Sequence, residues 1–196
     1  EVSRPAAVAT SAEEERPVIG ESKARPTGGA VWRRWWRHLS VDARAARALL
    51  DDAACRRLQD RVAASEAAHG GEIRVAVEAA LPPSYLWRGA SARERAVTLF
   101  GKLRVWDTEH NNGVLVYLNL ADRAIEVVAD RALHRACAPQ EWQTLLALVR
   151  DGMRRGEAEA ALAAAIDRLD TVMRLHFPRT DATRDVNELP DVVWRG

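Results

Sequence analysis

The chain has 196 residues, of which 47% are hydrophobic and 29% charged, with a formal net charge of +1 at pH 7. That length suits one domain with tails, and the near-neutral balance carries no general pull toward nucleic acid, so no nucleic-acid partner is expected. Its two cysteines, Cys55 and Cys137, lie far apart without any Cys/His ligand spacing, which argues against a zinc site and favours free thiols over one disulfide.

Residues 1–30 are rich in Pro, Ala, Glu, Ser and Gly and show no periodicity, which predicts a disordered tail. Residues 31–50 open with Trp32-Arg-Arg-Trp-Trp-Arg-His-Leu39. We expect a helix packed on the domain. The same mixture of tryptophan and arginine occurs in interfacial membrane peptides, so membrane-surface contact through Trp32, Trp35 and Trp36 is the alternative. No apolar run approaches the roughly 18 residues that span a bilayer, and nothing resembles a signal peptide. The expected location is therefore the cytoplasm, with membrane association open.

The folded region is expected over 51–178, followed by a tail over 179–196 that docks back or dangles. A helix is predicted from Asp52 to Ala68, where Cys55, Leu58 and Val62 recur at helical spacing behind an Asp51 or Asp52 cap. Gly70-Gly71 stops it. From Glu72 to Ala79 residues alternate, with Ile73, Val75 and Val77 on one face, predicting a strand with one buried and one mixed face. Pro82-Pro83 ends that strand, and a long loop leads to Ser91. The Ser91-Ala-Arg-Glu94 capping box then opens a helix whose stripe runs through Leu99, Leu103 and Trp106.

After the acidic turn, Val114 to Leu120 is a near-continuous apolar run, as in a central strand covered on both faces. Ala121-Asp-Arg-Ala124 is of hairpin length, so Ile125 to Ala129 should pair antiparallel beside it. Pro139 opens a helix carrying Trp142, Leu145 and Val149, and a last helix runs from Glu157 to His176. The order α-β-α-β-β-α-α defines an α/β protein: a three-layer α/β/α sandwich around a small mixed sheet.

Four stretches carry a family resemblance. They are Ser65-Glu-Ala-Ala-His-Gly-Gly-Glu-Ile-Arg74, Arg104-Val-Trp-Asp-Thr-Glu-His-Asn-Asn-Gly-Val-Leu115, Ile125-Glu-Val-Val-Ala-Asp-Arg131 and His176-Phe-Pro178. Together they resemble the TPM domain family, in a branch without a following membrane helix. The resemblance implies an α/β/α sandwich. It also implies a domain of which some members bind divalent cations, some are phosphatases, and many act in the bacterial envelope or a thylakoid lumen. The chain departs from the family where a glycine-rich stretch and a helix-opening acidic residue are usual: here stand Ala129-Asp-Arg-Ala-Leu133 and Ala138-Pro-Gln140.

The candidate site is the turn between Asp107 and Gly113. Asp107, Glu109, Asn111, Asn112 and, beyond the hairpin strand, Asp130 form a set of hard oxygen donors, which suits calcium or magnesium. Asp130 should arrive at the sheet edge where the turn ends. Alternatively, Asp107 caps the helix or pairs with Arg104, and the Asn-Asn-Gly run is a tight turn. His110 and Arg131 are the groups that phosphatase chemistry could use, but no nucleophile motif accompanies them. No catalytic residue is assigned. Three function classes follow: a non-catalytic binding module with a protein partner, dependent on a divalent cation or not; a metal-assisted phosphatase; or a structural interaction domain with no ligand at the turn.

Overall fold

The computed structural model describes residues 28–179 and 193–196. In chain order the elements are α1 (Gly28–Ser40), α2 (Ala43–Leu49), α3 (Asp52–Glu66), β1 (Ile73–Glu78), α4 (Pro83–Trp87) and α5 (Ala92–Lys102). They continue with β2 (Val114–Asn119), β3 (Ala124–Ala129), α6 (Arg131–Ala136), α7 (Pro139–Arg155), α8 (Ala158–His176) and β4 (Trp194–Arg195). The expected disorder of residues 1–27 and most of the tail over 179–196 fall outside the described residues.

The sheet is mixed and runs β3-β2-β1-β4. β1 and β2 are parallel, with Ile73 opposite Val114 and Glu78 opposite Asn119. β3 returns antiparallel to β2 through the hairpin. The end of the chain docks back as β4, parallel to β1, with Trp194 opposite Ala76.

Strand alternation divides the side chains between two cores. Ile73, Val75, Val77, Val114 and Val116 face α3, α7 and α8, where Leu58, Trp142, Leu162, Ile166 and Leu169 complete the larger core. Ala76, Leu115, Tyr117 and Val128 face Ala96 and Leu99 of α5. Helices thus cover both faces of the sheet, and the protein is an α/β/α sandwich.

Local signals work as the sequence suggests. Asp51 caps α3 by accepting from Ala54 N at 2.6 Å, and Ser91 and Glu94 form both halves of the capping box. Pro139 is the first residue of α7. Both cysteines are free and buried.

Other expectations change. α5 ends at Lys102 rather than near Trp106, because Arg104 takes a left-handed conformation (φ 58°) and Val105 N turns back to Phe100 O at 3.0 Å. Val105 is thereby buried and Trp106 left half exposed. The face of β1 read as mixed is buried throughout, Arg74 and Glu78 included. The loop before Ser91 contains α4, and the segment after β3 contains α6, capped by Asp130.

α1 packs across the carboxyl end of β1 and the hairpin turn by means of polar contacts. Arg34 Nη2 donates to Asp122 Oδ2 and to Ala90 O, both at 2.7 Å. His38 Nδ1 accepts from Leu81 N at 2.9 Å, and its Nε2 lies 3.1 Å from Asp122 Oδ1.

Candidate functional site

The Asp107–Gly113 turn leads into β2 and therefore sits at the amino end of the parallel pair. Ligands of open α/β sheets usually gather at the opposite, carboxyl end, which here is occupied by α1 and the Asp122 turn.

The turn residues have separate tasks. Asp107 forms an exposed ion pair with Arg104. Glu109 and His110 are exposed. Asn111 is left-handed (φ 52°), and its carbonyl accepts from Ala132 N at 3.0 Å. Gly113 O accepts from Asp130 N at 2.8 Å. Asn112 is fully buried: its Nδ2 donates to Gly70 O at 2.7 Å, and its backbone N donates to Thr108 Oγ1 at 3.1 Å. A Cβ on Gly113 would lie 2.0 Å from Val105 O, so only glycine fits against the returning Leu103–Asp107 segment.

Residues 111–113 and 130–132 are therefore laced together by backbone hydrogen bonds, as the hairpin register requires. Asp130 Oδ1 accepts from Arg131 N at 2.6 Å at the start of α6. Two oxygens remain over: Asn112 Oδ1 and Asp130 Oδ2 are buried and have no hydrogen-bond partner among the described residues. Buried polar atoms are normally satisfied by protein, water or an ion. Both are hard donors of the kind calcium and magnesium take. Among the described residues no group of three or more His, Cys, Asp or Glu side chains is arranged to hold a metal ion. Any cation here would lean on carbonyls and water as well.

Three other polar clusters were not visible in the sequence. Ser65, His69 and Asp170 converge from the end of α3, the loop before β1 and α8. Gly71 N donates to His69 Nδ1 at 3.1 Å, so in the neutral ring the proton is on Nε2, which donates to Ser65 Oγ at 2.8 Å. Ser65 Oγ donates in turn to Asp170 Oδ1 at 2.9 Å. Burial pushes the His69 pKa down to about 4, which keeps the ring neutral at pH 7. In a hydrolase triad the histidine accepts the serine proton, and the carboxylate faces the other ring nitrogen. Here both relations are reversed, and the cluster is a clamp.

The second cluster lies under α5. Arg95 Nη2 donates to Glu78 Oε1 at 2.6 Å, Tyr117 OH donates to Glu78 Oε2 at 2.7 Å, and Asn119 Nδ2 donates to Tyr117 OH at 3.1 Å. Burial, then the Glu78 carboxylate, drives the Tyr117 pKa well above the ordinary phenol range. The tyrosine is a fixed donor. The third cluster is a cleft of about 690 Å³ at the hairpin end, where Arg123, Arg150 and Arg154 stand over Leu118, Ile125 and Met153. Only pairing across long sequence distance assembles these groups, so no local signal could have announced them.

A small mixed sheet sandwiched by helices, with an Asn-Asn-Gly turn stapled to its hairpin strand, defines the class of protein. The family model described as the TPM domain matches residues 44–172, and the chain belongs to the TPM domain family. It is similar to the solved NMR structure of the BA42 protein from the psychrophilic bacterium Bizionia argentinensis. That likeness has a TM-score of 0.66 at 22% identity and covers 75% of this chain and 95% of the other, so it bears on the fold. No curated protein matches the chain. Among the described residues no helix is long and apolar enough to cross a membrane.

Proposed function

We propose that this TPM domain is a non-catalytic binding module whose acidic turn holds a divalent cation weakly. The observation that carries the reading is the pair of buried oxygens, Asn112 Oδ1 and Asp130 Oδ2, left without a hydrogen-bond partner on two segments joined by backbone hydrogen bonds. Asn112 and Asp130 are the side-chain ligands in this reading. Glu109 adds negative charge on the solvent side of the turn, where Asp107 is already paired with Arg104, and Asn111 serves through its backbone. Calcium is the better fit, because it accepts an irregular shell of carboxylate, amide, carbonyl and water oxygens, whereas magnesium demands a near-ideal octahedron. The Ser65–His69 hydrogen bond, with the proton on the wrong side for a general base, supports the non-catalytic part.

A thermal melt with added calcium tests the cation. Free ligand at 100 times its dissociation constant adds about 2.7 kcal/mol of apparent stability. The comparison is with Asp130→Asn, which keeps an N-cap for α6 and removes the charge. Wild type should gain melting temperature with millimolar calcium, and Asp130→Asn should not. A flat wild-type response, or the same gain in both proteins, ends the cation reading. Phosphate-ester hydrolysis by wild type above that of Asp107→Ala and Asp130→Ala would restore the phosphatase alternative.

A further inference from the structure

We infer that α1 and Trp87 together form a docking surface for an anionic lipid bilayer. A helix packed on a domain normally buries its apolar stripe and exposes its charges. α1 does the reverse. Its contacts with the domain run chiefly through Arg34 and His38, gathered on Asp122 with Arg37 at 3.6 Å, with further hydrogen bonds to Ala90 O and Leu81 N and the half-buried Trp35 at the margin. On the opposite side Trp32, Trp36 and Leu39 follow one another at i, i+4 and i+7, and they are 70%, 67% and 68% exposed.

Trp87, 81% exposed at the end of α4, lies beside α1. Its ring meets that of Trp35 edge-on at a centroid distance of 5.5 Å, which brings α4 alongside α1. Three large apolar side chains on one face of α1, with Trp87 on the neighbouring helix, are thus exposed and contribute little to the fold. Contiguous exposed apolar surface of this kind marks an interaction site.

Charge selects the occupant. α1 contains three arginines and a histidine and no acidic residue, in a chain whose net charge is only +1. Arg33 and Arg37 are exposed along one flank of the stripe, Arg37 with its guanidinium 3.6 Å from Asp122, and Arg88 beyond Trp87 lies over the Tyr85 ring and 3.9 Å from Glu94. Tryptophan favours the headgroup boundary, and arginine beside it pairs with lipid phosphates while its stem stays in the apolar layer. A contact between two copies of α1 would bring no acid to these arginines; an anionic bilayer supplies one with every charged headgroup. α1 ends before residue 44, where the TPM domain match begins, so the helix half of the surface lies outside the match and Trp87 lies within it. The surface stands at the other end of the sheet from the acidic turn, and its test is independent of the cation reading.

The test is co-sedimentation of the full chain with vesicles of phosphatidylcholine, with and without phosphatidylglycerol, while tryptophan emission is followed. Wild type should bind the phosphatidylglycerol vesicles with a blue shift and should bind phosphatidylcholine alone weakly. The double variant Trp32→Ser/Trp36→Ser should lose roughly tenfold or more of the partitioning, and Arg33→Gln/Arg37→Gln should lose the preference for the anionic lipid. The tryptophans and Arg33 are exposed, and Arg37 reaches Asp122 only at 3.6 Å beside the closer Arg34 and His38, so both variants should melt near the wild-type temperature, which keeps misfolding out of the comparison. Absence of wild-type binding, or equal binding by wild type and the tryptophan variant, overturns the proposal. So does a wild-type dimer, seen by sedimentation velocity, that the tryptophan variant abolishes while vesicles stay unbound; the occupant is then a second copy.

Discussion

His69 donates to Ser65 Oγ through Nε2 at 2.8 Å from a buried, neutral ring, and that burial fixes how the protein should respond to acid. Burial holds the His69 pKa at about 4, against 6.5 for an ordinary histidine. Between those two values the unfolded chain takes up a proton at this site and the folded protein does not. Stability should therefore rise with pH through this window and fall as the pH drops from about 6.5 to 4, by about 3 kcal/mol for the full shift. Urea midpoints measured across that range for wild type and His69→Gln check it. The variant cannot titrate there, so its midpoint should change less with pH; parallel curves would count against a buried neutral ring.

Glu78 and Arg95 make the second prediction. Both are buried, and the carboxylate also accepts from Tyr117. Arg95→Met leaves that carboxylate without its counter-ion inside the protein, where breaking such a pair costs about 3–5 kcal/mol. Glu78→Gln/Arg95→Met should be less destabilised than Arg95→Met alone, since neither group then carries an unpaired charge. Chemical denaturation of the two variants decides. If the double variant is the worse one, the pair is not what stabilises this layer.

Gly113 and Gly101 should respond to alanine in opposite ways. A Cβ at Gly113 meets the Val105 carbonyl, part of the backbone that cannot swing aside, whereas at Gly101 nothing stands within 4 Å. Gly113→Ala should cost about 1–3 kcal/mol through overpacking. Gly101→Ala, in the last turn of α5, should gain about 0.5–1 kcal/mol because alanine loses less backbone freedom on folding. Melting temperatures should move down for the first and up for the second. A neutral Gly113→Ala would mean that the Leu103–Asp107 segment yields.

What was legible in the sequence was what neighbours along the chain decide. The Ser91–Glu94 box, Pro139 at the head of α7 and the short hairpin after β2 each depend on a few consecutive residues, and the sandwich follows from their order. α4 and α6 have five and six residues, too few to display a period. The end of α5 is hidden because the apolar stripe continues in sequence while Arg104 turns the backbone away. The turn itself was readable, and so was Arg104 as a partner for Asp107. That Asn112 would turn inward to Gly70 O, 42 residues earlier, was not. Nor was the Ser65–Asp170 bond, across 105 residues, since the periodicity of each helix is silent about which polar group faces which. α1 packs on the domain as expected, but which of its sides docks was not legible: it is the one with Arg34 and His38.

That reversed docking depends on Asp122. Burial alone would raise its pKa, but the hydrogen bonds from His38 and Arg34 outweigh it and hold the carboxyl well below the ordinary aspartate range. A carboxylate with a depressed folded pKa contributes stability above its unfolded pKa and loses it as the pH falls through the folded one. Asp122 should therefore keep α1 in place at pH values where exposed aspartates have begun to protonate. Asp122→Ala removes the carboxylate on which Arg34, His38 and, at 3.6 Å, Arg37 converge, and α1 has no buried apolar stripe to hold it afterwards. Amide hydrogen exchange along residues 31–40 should then quicken by roughly ten- to a hundredfold, the equivalent of one or two lost charge-assisted hydrogen bonds. Exchange in α8, whose Leu162, Ile166 and Leu169 belong to the large core, should stay at the wild-type rate. Unchanged exchange in α1 would show that the Trp35–Trp87 contact, rather than the aspartate, anchors the helix.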